Sequence, residues 1–512
     1  MTSEADPESR SGIGRGLLPV LLWSAAISFA FLGSHGLIET TEGRYAEAAR
    51  EMIETGNWLV PQLDYHPHWT KPPVTYWAIA GGMELLGTNE WGARLCNALA
   101  FILLVWAVAR LGTLLWDKRT GVAASLIYAV SPYAVYAASS IQTDVLLSLT
   151  QILVVICYFE VLKEPEARSV RWWVTLLWTV AGVAFLIKGP PSLLTPLAIA
   201  AYQFYRRRMG LPTVRLRSLL GALCFAVVGL SWFLIVIVKT PGLLSYYLRD
   251  EVAGRVLTAQ ADRNPEWYKP FIIYLPVLLF GTGPVAFLWL VLAKRHRSIL
   301  RWSAFKGLFL ESDRAAFLTL WLMIPVIILS LVRSRLSLYL LPFFPAIALA
   351  TARTILIVFD SPKLWKRLWT MGLVMGLVLI AAKAALGHVP ISADMRRFHE
   401  ECMRIGGPDA AFFVHDSIKL YGLQFYLNGR LTRLWDQQPP PRGQQDARTV
   451  LAGLKSHPEN KTCVFISTSR KHEGELSGLL DEMGFVHELQ RSKAGYALLL
   501  VHLNETGPGP AS

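Results

Sequence analysis

The stretch DVLLSLTQILVVICYFEVL (residues 144–162), KEPEARSVR (163–171) and WWVTLLWTVAGVAFLI (172–187), closed by Lys188, decides the fold class. Each apolar run is close to the roughly 20 helical residues that cross ~30 Å of hydrocarbon, and the charged link between them cannot sit in that layer. The pair therefore reads as two membrane-spanning helices joined by a basic loop. Asp144 and Lys188 stand at its two far ends, an acid and a base on the edge of apolar surroundings where charge is costly.

Outward from this pair, similar runs recur from residue 17 to about 386 and then stop. Candidate spans lie at about 17–36, 93–114, 121–138, 144–162, 172–187, 190–205, 217–238, 268–292, 315–333, 338–358 and 367–387. Composition agrees: of 512 residues 53% are hydrophobic, 17% charged and 18 are Trp, too apolar and aromatic for an ordinary soluble enzyme. A net charge of +13 would suit nucleic acid, but the Lys and Arg residues gather in short loops where they set membrane orientation, so that partner is excluded. The segment 17–33 lacks a small-residue cleavage site and is expected to remain as the first span.

The stretch 74–87 is apolar but too short to cross, and is expected to lie as a helix at the membrane interface. With it left out, Lys118-Arg119, the loop 163–171, Arg206-Arg207-Arg208, 294–297 and 363–367 all fall on one side, together with Arg10 and Arg15. The positive-inside bias makes that side cytoplasmic. The amino terminus is then cytoplasmic and the tail extracytoplasmic. The outer segments are 37–92, the turns near Asp144, Lys188 and Arg335, and the loop 239–267.

Residues 1–388 thus read as the membrane domain and 389–512 as a soluble α/β domain. The latter alternates β-like runs (411–414, 463–466, 496–501) with helical patterns (417–427, 473–483), and a Pro-rich loop occupies 437–441. No phosphate-cradling glycine motif is present, which argues against an ATP-driven pump. Of five cysteines, Cys402 and Cys463 lie in the tail, where pairing and two free thiols are both open.

The unusual residues sit on the outer side. The first loop holds Glu39, Glu42, Arg44, Tyr45, Glu47, Arg50 and Glu51. Glu47, Arg50 and Glu51 read as the solvated face of an amphipathic helix. Glu42 and Arg44 are closer to the membrane edge, where a carboxylate can orient a nucleophile and a guanidinium can grip phosphate. Asp144 begins a span, so helix capping and catalysis are equal readings. His66 and His68 beside Asp64 read as a surface loop rather than a zinc site. No cofactor is expected, a divalent metal not being excluded.

The ordered set Thr41-Glu42-Gly43-Arg44-Tyr45-Ala46-Glu47, Arg50-Glu51-Met52, Gly56-Asn57-Trp58, Lys71-Pro72-Pro73 and Tyr76-Trp77 resembles one family. It is similar to the lipid A aminoarabinose transferases and the related protein O-mannosyltransferases. Thr143-Asp144, Lys188-Gly189, Glu251 with Arg255, Asn264-Pro265, Trp267-Tyr268, and Arg335-Leu336 followed by Tyr339 and Pro342 continue the match in order. Tyr426-Leu427-Asn428-Gly429-Arg430 looks like the family's carboxy-terminal domain.

The resemblance implies a polytopic helical membrane protein of the C-type glycosyltransferase fold, about 11–13 spans. It further implies an inverting transferase moving a sugar from a polyprenyl-phosphate donor to lipid A or another envelope glycolipid, with a protein or polysaccharide acceptor as the alternative. A lipid phosphate is already a good leaving group, so the protein chiefly binds its charge. Arg44, Lys71, Lys188, Arg255, Arg335 and Tyr339 are the expected donor phosphate ligands, and Glu42 and Asp144 the expected catalytic carboxylates. The chain departs from its relatives at Thr41, where they carry Asp, and Thr cannot serve as a base. A phosphate-oxygen nucleophile, already anionic, needs none. A lipid-linked sugar transporter is the reading from another class, but its charges belong near mid-depth rather than on one face.

Overall fold

The computed structural model describes residues 8–249, 264–283, 312–359, 362–415, 420–435, 445–456, 462–467 and 470–503. The chain forms two compact units. One comprises Met1–Leu32, Thr70–Thr75 and Arg94–Ala384, the other Gly33–Trp69, Tyr76–Ala93 and Ala385–Ser512.

The first unit is helical. Among the described residues, seven helices are long and apolar enough to cross a membrane: Glu90–Leu115, Thr143–Lys163, Val170–Lys188, Leu219–Lys239, Asp313–Leu331, Ser337–Val358 and Lys363–Leu386. Lys118–Ala129 and Pro132–Ala138 make an eighth span if counted together, bent by 65°. The bend has a local cause. Ser131 precedes Pro132 and is driven to an extended conformation (ψ 115°), while its hydroxyl donates to the Ile127 carbonyl at 3.0 Å.

Two expected spans are shorter than their apolar pattern. The run from 17 ends as a helix at Phe29, and its apolar part is Gly16–Phe29. The run from 190 divides into a 3-10 turn, Pro190–Leu193, and the helix Leu194–Arg208, since consecutive prolines remove amide donors at its start. The expected span 268–292 is a helix over Lys269–Phe280, and much of its second half lies outside the described residues.

Packing in this unit is aromatic and close. Tyr158, Phe159, Tyr202 and Phe317 form a cluster whose ring centroids lie 4.8–6.4 Å apart. The buried Trp321 indole donates to the Thr195 hydroxyl at 2.9 Å. Gly182 and Gly229 bring Val170–Lys188 against Leu219–Lys239, and a Cβ on Gly229 would stand 3.0 Å from the Gly182 Cα, the small-residue contact that membrane helices use.

The second unit unites the first loop with the tail. The tail is a six-stranded sheet in the order β5-β4-β3-β6-β8-β7, where β3 is Ala411–His415, β4 Leu431–Trp435, β5 Gln445–Asp446, β6 Thr462–Ser467, β7 His487–Arg491 and β8 Ala497–His502. Strands β3 to β6 run parallel to their neighbours among themselves, and β8 and β7 add antiparallel. Alternation along the strands sends Phe412, Val414, Val464, Ile466, Leu498 and Leu500 to one core. Phe413, Cys463, Phe465, Leu499 and Val501 go to the other.

This alternation settles the cysteines. Cys402 lies in the first core and Cys463 in the second, so the sheet separates them and both are free thiols. The α/β reading of the tail stands, but β4, β5 and β7 were not legible: β5 is two residues long, and β7 is largely polar. The Pro-rich run 437–441 lies outside the described residues.

In the loop part, the helix Thr41–Thr55 is followed by a short hairpin of β1 (Gln62–Leu63) and β2 (His66–Pro67). Its turn residues Asp64 and Tyr65 are left-handed, with φ of 54° and 57°. The helix Val74–Leu86 follows and, at 13 residues, is too short to cross a bilayer.

Candidate functional site

In the first unit the helices Thr143–Lys163 and Val170–Lys188 form an antiparallel hairpin, and this puts Asp144 in the first turn of one beside Lys188 at the end of the other. Both helix dipoles favour these charges at these ends. The two residues are 5% and 8% exposed and their side chains form an ion pair. The Thr143 hydroxyl leans on the Asp144 carboxylate at 3.4 Å, and the Ser148 hydroxyl donates to the Asp144 carbonyl at 2.6 Å. The Lys188 ammonium lies 4.6 Å from the centre of the Tyr339 ring, within reach of a cation–π attraction. Asp144 thus spends its carboxylate on Lys188 rather than on the first amides of its helix.

Arg335 stands close by in sequence but is differently employed. Its guanidinium donates to the carbonyls of Asn264 (2.9 Å), Glu266 (2.8 Å) and Ser330 (3.0 Å), and the Asn264 amide donates back to the Arg335 carbonyl at 3.2 Å. Buried at 4% exposure, it ties the end of the 239–267 loop to the turn after Asp313–Leu331. Nε is the remaining buried donor with no hydrogen bond. Lys71 is half-buried just ahead of Val74–Leu86. Arg255 and Glu251 lie outside the described residues.

In the second unit Glu42 is 3% exposed and accepts the Ile38 amide at 3.0 Å, while Arg44 is half-buried over the Tyr45 ring. The expectation of a solvated face at Glu47, Arg50 and Glu51 is overturned, because they are 0%, 6% and 0% exposed. Burial is tolerated because each charge is answered. Arg50 grips Glu47 through Nε and Nη2, both at 2.8 Å, and also donates to Glu54. Glu51 accepts the amides of Asp64 and Tyr65 at 2.8 and 2.9 Å, which is what holds that left-handed turn. Asp64 pairs with Arg433 of β4 at 2.7 Å, and Arg433 donates onward to Gln424 at 2.7 Å.

Burial pushes the carboxyls of Glu47 and Glu51 up. For Glu47 the Arg50 guanidinium opposes that rise, whereas for Glu51 the Glu47 charge adds to it. Glu39, named in the loop but given no role, is raised to about 7, chiefly by burial. His66 is exposed, with Nδ1 2.6 Å from the Asp64 carbonyl. Among the described residues no group of three His, Cys, Asp or Glu is disposed to hold a metal ion.

An apolar helical unit joined in the same chain to an α/β unit is the architecture of the C-type glycosyltransferase fold. The solved structure of ArnT from Cupriavidus metallidurans bound to undecaprenyl phosphate has this fold, with a TM-score of 0.75 over 97% of this chain and 100% of that one at 19% identity. The oligosaccharyltransferase of Archaeoglobus fulgidus shares it more distantly, with a TM-score of 0.55 over 94% of this chain and 74% of the other at 14% identity.

In sequence, residues 70–232 match the family model of dolichyl-phosphate-mannose-protein mannosyltransferases. The chain is 29% identical over 370 residues to undecaprenyl phosphate-α-4-amino-4-deoxy-L-arabinose arabinosyl transferase 1 of Pseudomonas fluorescens, covering 69% of this chain and 62% of the relative. With the corresponding enzyme of Pseudomonas savastanoi it shares 30% over 326 residues, 63% and 57% of the two lengths. The matches thus span less than two thirds of these relatives. The chain is thus a multi-span protein similar to the aminoarabinose transferases over about two thirds of its length and to the protein mannosyltransferase model over residues 70–232, as its motifs led one to expect.

Proposed function

We propose that the protein is an inverting glycosyltransferase that moves a sugar from a polyprenyl-phosphate donor to lipid A or another envelope glycolipid. The observation that carries this reading is the buried Asp144–Lys188 pair beneath Tyr339. It supplies a cation held ready for a phosphate and a carboxylate that is released when the phosphate takes the cation over. The relatives, named for an undecaprenyl-phosphate sugar donor, support the same chemistry.

In this reading Lys71, Lys188, Arg255 and Tyr339 neutralise the departing phosphate, which needs no proton. Arg335, with three of its five donors held by backbone carbonyls, contributes Nε. Glu42 and Arg44 of the second unit orient the acceptor and the donor charge. With Thr41 in the place of a family Asp, the nucleophile is an acceptor phosphate oxygen, already anionic, and Glu42 positions rather than deprotonates it. The loops rich in Lys and Arg face the cytoplasm, and the second unit is extracytoplasmic. The match to protein mannosyltransferases keeps a protein acceptor as the second reading.

The test is a transfer assay on purified protein in nanodiscs, with radiolabelled polyprenyl-phosphate sugars and envelope lipids. Label appears in lipid with the wild type and is lost in Lys188→Ala, whereas Glu42→Gln, which keeps an oxygen for the Ile38 amide, retains transfer to a phosphate acceptor. An inactive Glu42→Gln would count against the phosphate-oxygen nucleophile. Movement of carrier between leaflets without a new glycosidic product would replace the enzyme with a transporter.

A further inference from the structure

The carboxy-terminal domain needs a reason to be folded together with the first loop, and the contacts supply one. Glu39 Oε2 accepts the Gly422 amide at 2.7 Å, at the start of the short helix Tyr421–Tyr426. Its own amide donates to the Ala393 carbonyl at 2.9 Å. Gly43, four residues later, is pressed against the same place: a Cβ there would collide with the backbone N and Cα of Gly422. A Cβ on Gly422 would in turn strike the Met395 side chain and come within 3.0 Å of Glu39 Oε2.

The flanking residues are fixed by the same partner. The Leu37 amide donates to the Tyr426 hydroxyl at 2.9 Å, which itself donates to Glu90 at 2.6 Å. The Gly36 amide donates to Asp394 at 3.1 Å. The two segments meet backbone to backbone, so the path of residues 36–44 is set by the tail. Within that path lie Glu42 and Arg44.

We propose that Glu39 is a positioning residue, the clasp through which the carboxy-terminal domain holds Glu42 and Arg44 in their working places; the catalytic part of this rests on the transferase reading above. The chemistry of the clasp is that of a half-satisfied carboxyl. Oε1 is buried with no hydrogen-bond partner, which penalises the ionised form. The groups facing it are the cations Arg433 and Arg44 and the phenols Tyr421 and Tyr496. Burial outweighs the Gly422 and Tyr421 amides and the two cations, all of which favour the ionised form, and leaves the carboxyl titrating near neutrality. The clasp is therefore tighter protonated than ionised.

Hydrogen–deuterium exchange on the full-length protein in nanodiscs, together with transfer kinetics at pH 6 and pH 8, tests this. Glu39→Ala should speed exchange across residues 36–46 at both pH values and lower kcat/KM for the donor by about tenfold or more, a displacement of catalytic groups being enough for that. Glu39→Gln keeps the acceptor for Gly422 and should restore both. The wild type should lose protection in 36–46 from pH 6 to pH 8 after correction for intrinsic exchange, and Glu39→Gln should not. If Glu39→Ala does not fold, Gly43→Ala, whose Cβ would press on both the Gly422 backbone and Glu39 Oε2, breaks the same contact and is read in the same way. Unchanged exchange in Glu39→Ala, or failure of Glu39→Gln to restore it, overturns the clasp. A wild type that transfers no sugar while exchange behaves as described overturns the functional reading and supports the clasp.

Discussion

Lys188 and Asp144 were legible as single residues because a charge in an apolar run has few structural excuses. Their pairing was not, since residues 44 positions apart meet here only because two helices pack. We predict that Lys188→Ala costs about 3–5 kcal/mol by stranding a buried carboxylate, as breaking such pairs does. Adding Asp144→Asn should recover most of the melting temperature and none of the transfer activity. Recovery of activity in the double variant would show that the pair serves the fold alone. Glu39 gives a second prediction. Its carboxyl, ordinarily near 4.5, is held at about 7. The stability it contributes is full below 4.5 and is lost as pH rises to about 7. Thermal unfolding between pH 4.5 and 7 should therefore fall less steeply in Glu39→Gln than in the wild type, and an identical slope would remove Glu39 from the account.

At the scale of elements, apolar length located the long spans, and the bent one at 118–138, but not the helix ends and breaks within them, because hydropathy counts residues and not hydrogen bonds. The helix Thr41–Thr55 shows the limit of periodicity. Glu47, Arg50 and Glu51 have the i, i+3, i+4 spacing of a solvated face, and that spacing is the same when a hairpin and a domain cover them. Gly429 marks where the cover sits. It has φ of 80°, and a Cβ there would meet the Tyr65 hydroxyl and Arg50. Gly429→Ala should destabilise the protein by about 1–2 kcal/mol from the left-handed backbone alone, read as a lower unfolding midpoint. A silent substitution would mean that the turn is not held against Arg50.

For the molecule as a whole, the division into units cuts across the chain. Residues 33–69 and 76–93 fold with 385–512, although sequence order joins them to the spans. We predict that a chain truncated after residue 384 still inserts in the membrane but leaves Arg44 and Arg50 open to trypsin, since the partners of Tyr65, Asp64 and Glu39 in the tail are gone. Resistance of those sites in the truncated chain would make the tail dispensable to the loop.

By itself the sequence determined that this is a multi-span membrane protein with an α/β tail, because membrane solvation and strand alternation act through local pattern. It also marked the family's charged residues along the chain. Only the tertiary structure decided which charges are paired and buried, that Cys402 and Cys463 lie on opposite faces of a sheet, and that a loop near the amino terminus rests on Gly422. Those depend on contacts between residues hundreds of positions apart, where no local period carries information and burial alone sets the energy of a charge.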